Sequence, residues 1–381
     1  MLKYIYVVII FLFGLGCKAP ETIIQNQGAN NNILSIYKID NTGKTDVSKQ
    51  IQHAIKKEGQ ITLTKGRYLI NGSIKLIDSQ SIHLENGAWL IRKKNNSEPM
   101  VWIQGTYSSL TGSGKNSVIE SEVNTPNGLI RIGHKNMTQS KKNVLHATLK
   151  DLRIKGKSYG GGNDNTIDKG IYMANPQHKG MASYFHTIHD LLISNVDIGI
   201  HLQGFSNANS IRNIVLEGIG NSQKDVGIWV NGAQENRISD IFHHHSSGVG
   251  ATILVTDFKS SKRKYTASFN RVESVVSEPD ADAKKAISRC LIFESEGTRN
   301  YFSLSENNIN GNKVGKNFVE RNNTLHSSST GRSSVKNTIA NQLTLIPSST
   351  APINSIFLDK KDSKLKFKDK KGKIYELTQF K

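Results

Sequence analysis

The chain has 381 residues, with 50 lysines and arginines against 31 acidic residues and a formal charge of +19. Two cysteines exclude a disulfide framework, and charge of one sign steers polyanions toward the surface. No nucleic-acid-binding motif accompanies that charge, which sets DNA and RNA aside as partners.

Met1-Leu-Lys3 followed by the apolar run Tyr4 to Leu15 has the form of an export signal, and the run is too short to span a membrane comfortably. It ends Gly14-Leu-Gly-Cys17, which resembles the lipobox of bacterial lipoproteins. The resemblance implies removal of residues 1–16 and lipidation of Cys17, hence an anchor in the cell envelope, on the outer membrane. Gly14 stands where an aliphatic residue is usual. The polar stretch 17–32 reads as a tether. Cys290, inside the apolar run Cys290-Leu-Ile-Phe293, is expected to be a small core residue.

From Tyr37 the pattern becomes regular. Val47, Ile51, Ala54 and Ile55 form a helical stripe, with Asp46 placed as its cap. Gln60-Ile-Thr-Leu63, Gly66-Arg-Tyr-Leu-Ile70 and Ile74-Lys-Leu76 read as strands. The order of entry strand, Gly43-Lys44-Thr45-Asp46 turn, helix, strand and Gly66-Arg67-Tyr68 turn resembles the opening of the pectate-lyase-like superfamily. That resemblance implies a β-helix whose first coil is covered by the helix; it says little about chemistry. Ile82-His-Leu84 and Trp89-Leu-Ile91 continue the series. Leu110-Thr-Gly-Ser-Gly-Lys115 is a turn and not a phosphate loop, because Lys115 is followed by Asn116 and position 109 is Ser.

Between Ala147 and Ser295 one phrase recurs: Leu149-Lys-Asp-Leu-Arg-Ile154, Ile188-His-Asp-Leu-Leu-Ile193, Ile211-Arg-Asn-Ile-Val-Leu216, Ile238-Ser-Asp-Ile-Phe-His243 and Val272-Glu-Ser-Val-Val-Ser277. The starts lie 39, 23, 27 and 34 residues apart. A second phrase follows: Gly170-Ile-Tyr-Met173, Gly199-Ile-His-Leu202, Gly227-Ile-Trp-Val230 and, more loosely, Ala251-Thr-Ile-Leu-Val255. Short strands at irregular spacing with Gly and Asn between them mean stacked coils, each covering its neighbour's apolar face. The fold class is therefore all-β, a right-handed parallel β-helix. Alternation points Ile200 and Leu202 inward and stacks Tyr172, His201 and Trp229 in one exposed column. Gly170, Gly199 and Gly227 are expected at a tight bend.

Beyond Asn300 the repeat fades. Residues 33–326 are assigned to the β-helix, 327–350 to a linker, and 351–381 to a small β-meander with strands at 355–358, 365–367 and 374–377. The meander resembles modules appended to bacterial and phage surface proteins. Residues 359–381 hold nine lysines against four acids.

Charge and fold together point to an acidic polysaccharide, rich in uronate or sulfate, as the partner. Three outward columns compete as its site. In the first, the aromatic faces of Tyr172 and Trp229 suit sugar rings, and His201 beside Tyr172 forms a pair of a kind that serves as base and acid in polysaccharide lyases of other folds. β-Elimination would then use His201 as base and Tyr172 as acid. Lys179 and Lys224 would neutralise the uronate, with His178, Lys169 and Arg237 flanking. Ladder stacking alone accounts equally for such a column. The second comprises Asp168, Asp197 and Asp225, each two residues before its Gly. Two carboxylates suit glycoside hydrolysis, with Asp197 and Asp225 as the pair, and Asp-x-Gly is also an ordinary turn. The third, Lys155, Ser194, Glu217, His244 and Glu278, lies beside Lys150, His189, Arg212, Ser239 and Glu273 and reads as a solvated face. Calcium, which superfamily lyases often use, remains open, with no convincing oxygen cluster to hold it. A non-catalytic binding or adhesive surface protein is the alternative to an enzyme. His243-His-His245 cannot chelate one ion from a strand, because alternation sends His243 inward and His244 outward. The long turns at 160–165, 176–181 and 259–264 are expected to wall a groove.

Overall fold

The computed structural model describes residues 33–133, 143–157, 167–175, 183–219, 226–245, 250–259, 263–279, 289–306, 312–314, 318, 321–329, 347–348, 355–359, 365–369 and 371–376. The export signal, Cys17 and the tether lie outside them, as do most of the three long turns. No described helix is long and apolar enough to cross a membrane.

Strands of successive coils pair in parallel, building a right-handed parallel β-helix from two long sheets and one short one. The first sheet contains the recurring phrase, and its bend has a local cause. In the early coils two short strands lie side by side: Gln60–Leu63 pairs with Ser81–Leu84 and then Ser109–Gly112, while Gly66–Leu69 pairs with Ala88–Arg92 and then Val118–Ser121. Thr148–Lys155 joins both rows, its first half pairing with Ser109–Gly112 and its second with Val118–Ser121. The joint is Asp151, at φ 58°, followed up the stack by Asp190, Asn213, Asp240 and Ser274, all left-handed. Asp and Asn tolerate that region better than most side chains. This left-handed residue lets Leu149 and Leu152, three apart, both point into the core, and the same holds for Ile211 and Ile214.

The helix Ser48–Glu58 covers the first coil, burying Ile51, Ala54 and Ile55. Gln52 holds it there: its amide donates to the Lys75 carbonyl (2.9 Å) and accepts from the Lys75 N–H (2.6 Å). Those are the groups a sheet edge would otherwise expose. Asp46 sits one residue before the cap position, occupied by Val47. Its carboxylate takes the Ser48 N–H (3.0 Å) in place of the deeper first-turn donors a capping side chain usually binds.

One corner is stitched by a buried asparagine ladder that the sequence reading passed over. Asn209 donates to Asn236 (2.9 Å), Asn236 to Asn270 (3.0 Å), Asn270 to Asn300 (3.0 Å) and Asn300 to Asn323 (2.9 Å). Each side-chain oxygen also accepts the backbone N–H of the ladder residue one coil earlier, so a buried N–H at each turn is satisfied.

The glycine expectation needs correcting. Gly170, Gly199 and Gly227 are not in the left-handed region. Space requires them: a Cβ on Gly199 would lie 2.6 Å from the Gly227 carbonyl oxygen and 2.8 Å from a Leu216 methyl. Where the column reaches Thr252, the neighbour is His243, whose Nδ1 meets the threonine hydroxyl at 3.0 Å. His243 is buried and His244 exposed, as alternation requires. Cys290 is a buried core residue.

At the far end the first sheet closes with Thr324–Ser329, whose pairing runs three residues past the expected boundary at 326. Ser355–Asp359, Leu365–Lys368 and Ile374–Glu376 form an antiparallel meander.

Candidate functional site

The second sheet carries the site. Its outward column runs in register through Lys75, Trp102, Arg131, Tyr172, His201, Trp229, Leu254 and Ile292. Ile171 and Met173 on either side of Tyr172 are buried in the core, which fixes the tyrosine outward. Coils repeat at about 4.8 Å, close to the thickness of a ring in contact with another, so aromatic residues at equivalent positions stack. Tyr172 and His201 have centroids 5.0 Å apart at 24°, and His201 and Trp229 lie 4.3 Å apart at 3°.

Cations extend the stack. The Arg131 guanidinium is 5.5 Å from the Trp102 ring and 5.0 Å from that of Tyr172. Lys169 also reaches Tyr172 at 5.0 Å, and Lys75 lies 5.4 Å from Trp102. Arg131 is 4% exposed, its Nε has no hydrogen-bond partner, and among the described residues neither it nor Lys169 forms an ion pair. Burial pulls the Arg131 guanidinium below its ordinary range, with Tyr172 opposing. Burial brings Lys169 down to about 8; Asp168 and Asp197 oppose the shift and Arg131 adds to it. Lys169 Nζ donates to the Pro126 carbonyl at 2.5 Å.

The ring tips are tied diagonally to the next coil. Tyr172 donates to Gln203 (2.7 Å), His201 Nε2 meets the Asn231 amide (3.3 Å), and Trp229 donates to Thr256 (2.8 Å). His201 is 3% exposed, which overturns the expectation of an open base. Burial, assisted by the Lys169 charge, lowers its pKa to about 3, and Nδ1 has no partner. Burial raises the Tyr172 pKa, opposed by Arg131. Both groups are thereby held neutral, His201 as a stacked ring that takes up no proton near neutrality.

The aspartates take the turn role of the Asp-x-Gly pattern and not that of the hydrolase pair. Asp168 and Asp197 are buried turn residues: Asp168 accepts the Thr125 N–H (2.5 Å) and Asp197 the Asp168 N–H (2.7 Å). Carboxylates engaged in this way hold successive coils and do not face a sugar. Asp225 and Lys224 lie outside the described residues, with His178 and Lys179. Arg237 begins a first-sheet strand, stacked between Ser210 and Arg271, and does not flank Tyr172. Lys169 does. The third column is in register as expected, from Lys155 through Ser194, Glu217 and His244 to Glu278. Among the described residues no three His, Cys, Asp or Glu side chains converge.

Arg131, Trp102 and Lys75 were missed because they precede the recognisable repeat. The signal was there: Ile74-Lys-Leu76, Val101-Trp-Ile103 and Ile130-Arg-Ile132 are apolar–outward–apolar triplets like Ile171-Tyr-Met173, without the glycine.

No family model and no curated protein matches the chain. Solved structures do. The ORF18 protein of Geobacillus virus E2 shares 13% identity at a TM-score of 0.33, covering 93% of this chain and 87% of its own. A tailspike of E. coli bacteriophage HK620, in complex with a pentasaccharide, shares 10% at a TM-score of 0.47 over 72% of this chain and 56% of its own. The A-module of an Azotobacter vinelandii mannuronan C-5 epimerase shares 12% at 0.32, over 79% and 99%. At such identities no chemistry carries over from them.

Proposed function

We propose that the chain binds an acidic polysaccharide along its second sheet. The observation that carries this reading is the pair of cations, Arg131 and Lys169, on one tyrosine ring, with no ion-pairing carboxylate among the described residues. Two cations in low dielectric, with Asp168 and Asp197 acting on Lys169 only at a distance, favour a polyanion arriving from outside. Lys169, half-buried, meets a carboxylate or sulfate directly, while Arg131 acts through its field. The faces of Tyr172 and Trp229 are taken up by the stack, so a sugar chain meets the outward edges of these half-buried rings.

A second step, cleavage by β-elimination, is favoured by Lys169. With a pKa of about 8 it is partly unprotonated in mildly basic solution and suited to general-base work. Its amine removes the C5 proton of a uronate, the electron pair forms the C4–C5 double bond, and the C4–oxygen bond breaks. Tyr172, which keeps its proton, supplies one to the leaving oxygen. Lys169 thus replaces His201 as base.

The test uses polygalacturonate, alginate and a sulfated galactan, with retention measured by affinity electrophoresis and elimination by the ultraviolet absorbance of unsaturated uronate. Retention by at least one polymer, weakened roughly tenfold in Arg131→Met and Lys169→Met, is expected. Absorbance should grow in His201→Phe and not in Lys169→Met. Failure of all three polymers to bind overturns the reading; binding without absorbance leaves a carbohydrate-binding protein. We further propose export and lipid anchoring through Cys17, checked by mass spectrometry of the N-terminus and by release of a Cys17→Ser variant from membranes.

A further inference from the structure

A different corner carries a second column. Successive coils enter the first sheet through one residue in the left-handed region, and up the stack these are Tyr107, His146, Phe185, Ala208, Glu235, Phe269 and Arg299; His146, Phe185 and Ala208 directly follow the three strands of the short third sheet. Their backbones are bonded coil to coil: His146 N–H to the Tyr184 carbonyl (3.1 Å), Ala208 N–H to Gln234 (3.0 Å), Glu235 N–H to Ser268 (3.0 Å), Phe269 N–H to Thr298 (2.9 Å). Side chains at these positions therefore stand directly over one another.

Three observations single this column out. Tyr107, Phe185 and Phe269 are 67%, 51% and 46% exposed, among the largest apolar exposures on the described molecule. Bulky side chains at positive φ are disfavoured, by about 1–2 kcal/mol per residue, where Asn or Gly would be easier. Asn322, at the next corner, shows that the stack accepts such a residue. Exposed aromatic rings kept on strained backbone, with little core burial in return, point to a use other than stability.

The rings are also interrupted at one place. Tyr107, His146 and Phe185 stack at 5.1 Å and 5.3 Å, nearly parallel, and Arg299 covers Phe269 at 5.6 Å. Between these two groups Ala208 offers only a methyl, and among the described residues no ring covers the far face of Phe185. The next coil brings exposed Glu235, two steps of about 4.8 Å from Phe185. A ring in van der Waals contact with Phe185 needs about 3.5–4.0 Å of that height. The notch thus has an aromatic face below, a methyl floor and a carboxylate above. Tyr184 packs edge-on against Phe185 at 5.9 Å and walls one side.

We infer that this notch binds a single pyranose ring of a neutral sugar, its apolar face on Phe185 and its hydroxyls donating to the Glu235 carboxylate. A carboxylate roof disfavours a uronate here, which separates this site from the cationic ladder of the second sheet. The inference stands whether or not that ladder binds a polyanion.

The experiment is saturation-transfer NMR on the full chain with methyl β-galactopyranoside, whose H3, H4 and H5 lie on one apolar face. Millimolar binding is expected, with saturation concentrated on those three protons. Phe185→Asn removes the platform while easing the backbone, so it should abolish the transfer and leave the melting temperature equal or higher. Ala208→Phe fills the notch with a fourth ring and should also abolish transfer. Glu235→Gln should weaken binding several-fold. No transfer to the wild type, or undiminished transfer to both the Phe185→Asn and Ala208→Phe variants, overturns the site. So does a fall in melting temperature in Phe185→Asn, which would make the rings a structural stack.

Discussion

Two ladders climb this β-helix, the cation–aromatic one from Lys75 to Trp229 and the asparagine one from Asn209 to Asn323, and they are built to opposite rules. In the asparagine ladder each internal side chain has its donor and acceptor engaged: Asn270 donates to Ala233 and Asn300 and accepts from the Asn236 amide and backbone. In the cation–aromatic ladder Arg131 Nε and His201 Nδ1 are buried without partners. Leaving such groups unpaired costs free energy, so their retention marks a column kept for something other than stability, whereas the satisfied column is kept for stability itself. Disrupting each ladder should therefore have opposite effects on folding and on binding.

The largest effect falls on the satisfied ladder. Asn270→Ala takes the partner from the Asn236 N–H, from the Asn236 side-chain amide and from the Ala233 carbonyl, all buried. It should lower unfolding free energy by about 3 kcal/mol, read from the chemical denaturation midpoint, with polysaccharide retention by the folded fraction intact. A loss under about 1 kcal/mol would mean the ladder relaxes and the contrast fails.

Acid should sharpen the contrast next. His201 falls to about 3 and His186, also buried, to about 3, both chiefly by burial. The unfolded chain binds these protons first, so their contribution to stability is full above about 6.5 and is lost as pH falls toward 3. His201→Phe keeps a stacked ring and removes one of the two titrations. Its acid unfolding midpoint should lie at lower pH than that of the parent; an unchanged midpoint would show that His201 is hydrated and protonates freely in the fold.

Much of this was legible in the sequence, for reasons that also explain what was not. The coils and the register of Tyr172, His201 and Trp229 follow from period-two alternation, which depends only on residue identity. The depth of His201 does not: it is set by the Tyr172 and Trp229 rings on either side and by Asn231 one coil on, contacts among residues distant in sequence. For Asp168 and Asp197 the pattern left turn and carboxylate pair both open, and the backbone donors of Thr125 and Asp168 decide for the turn. The asparagines at 209, 236, 270, 300 and 323, each two residues before an apolar strand start, were a readable period. They escaped notice because a polar residue at a turn needs no buried partner to be explained.

Arg131→Met should move stability and binding in opposite directions. Replacing a buried, incompletely paired cation by an apolar side chain of similar length is neutral or stabilising, here by roughly 1 kcal/mol. Retention of the acidic polymer should fall at the same time. Loss of both would make Arg131 a structural member of the ring stack.

The smallest effect is a change of slope at Lys169. Its folded pKa, about 8, lies below the ordinary lysine value of 10.5 because burial opposes the charge. Between these values the unfolded chain holds more protons, so stability rises with pH from about 8 to 10.5 and is flat below. Lys169→Met should remove that rise. A bound polyanion favours the charged amine, so affinity should fall as pH climbs through about 8 and added salt should weaken it further. Stability and affinity then have opposite pH slopes arising from one amine, which no residue of the asparagine ladder can produce. If the two slopes persist together in Lys169→Met, the titrating group lies elsewhere and the second-sheet ladder is not where the polymer's charge is read.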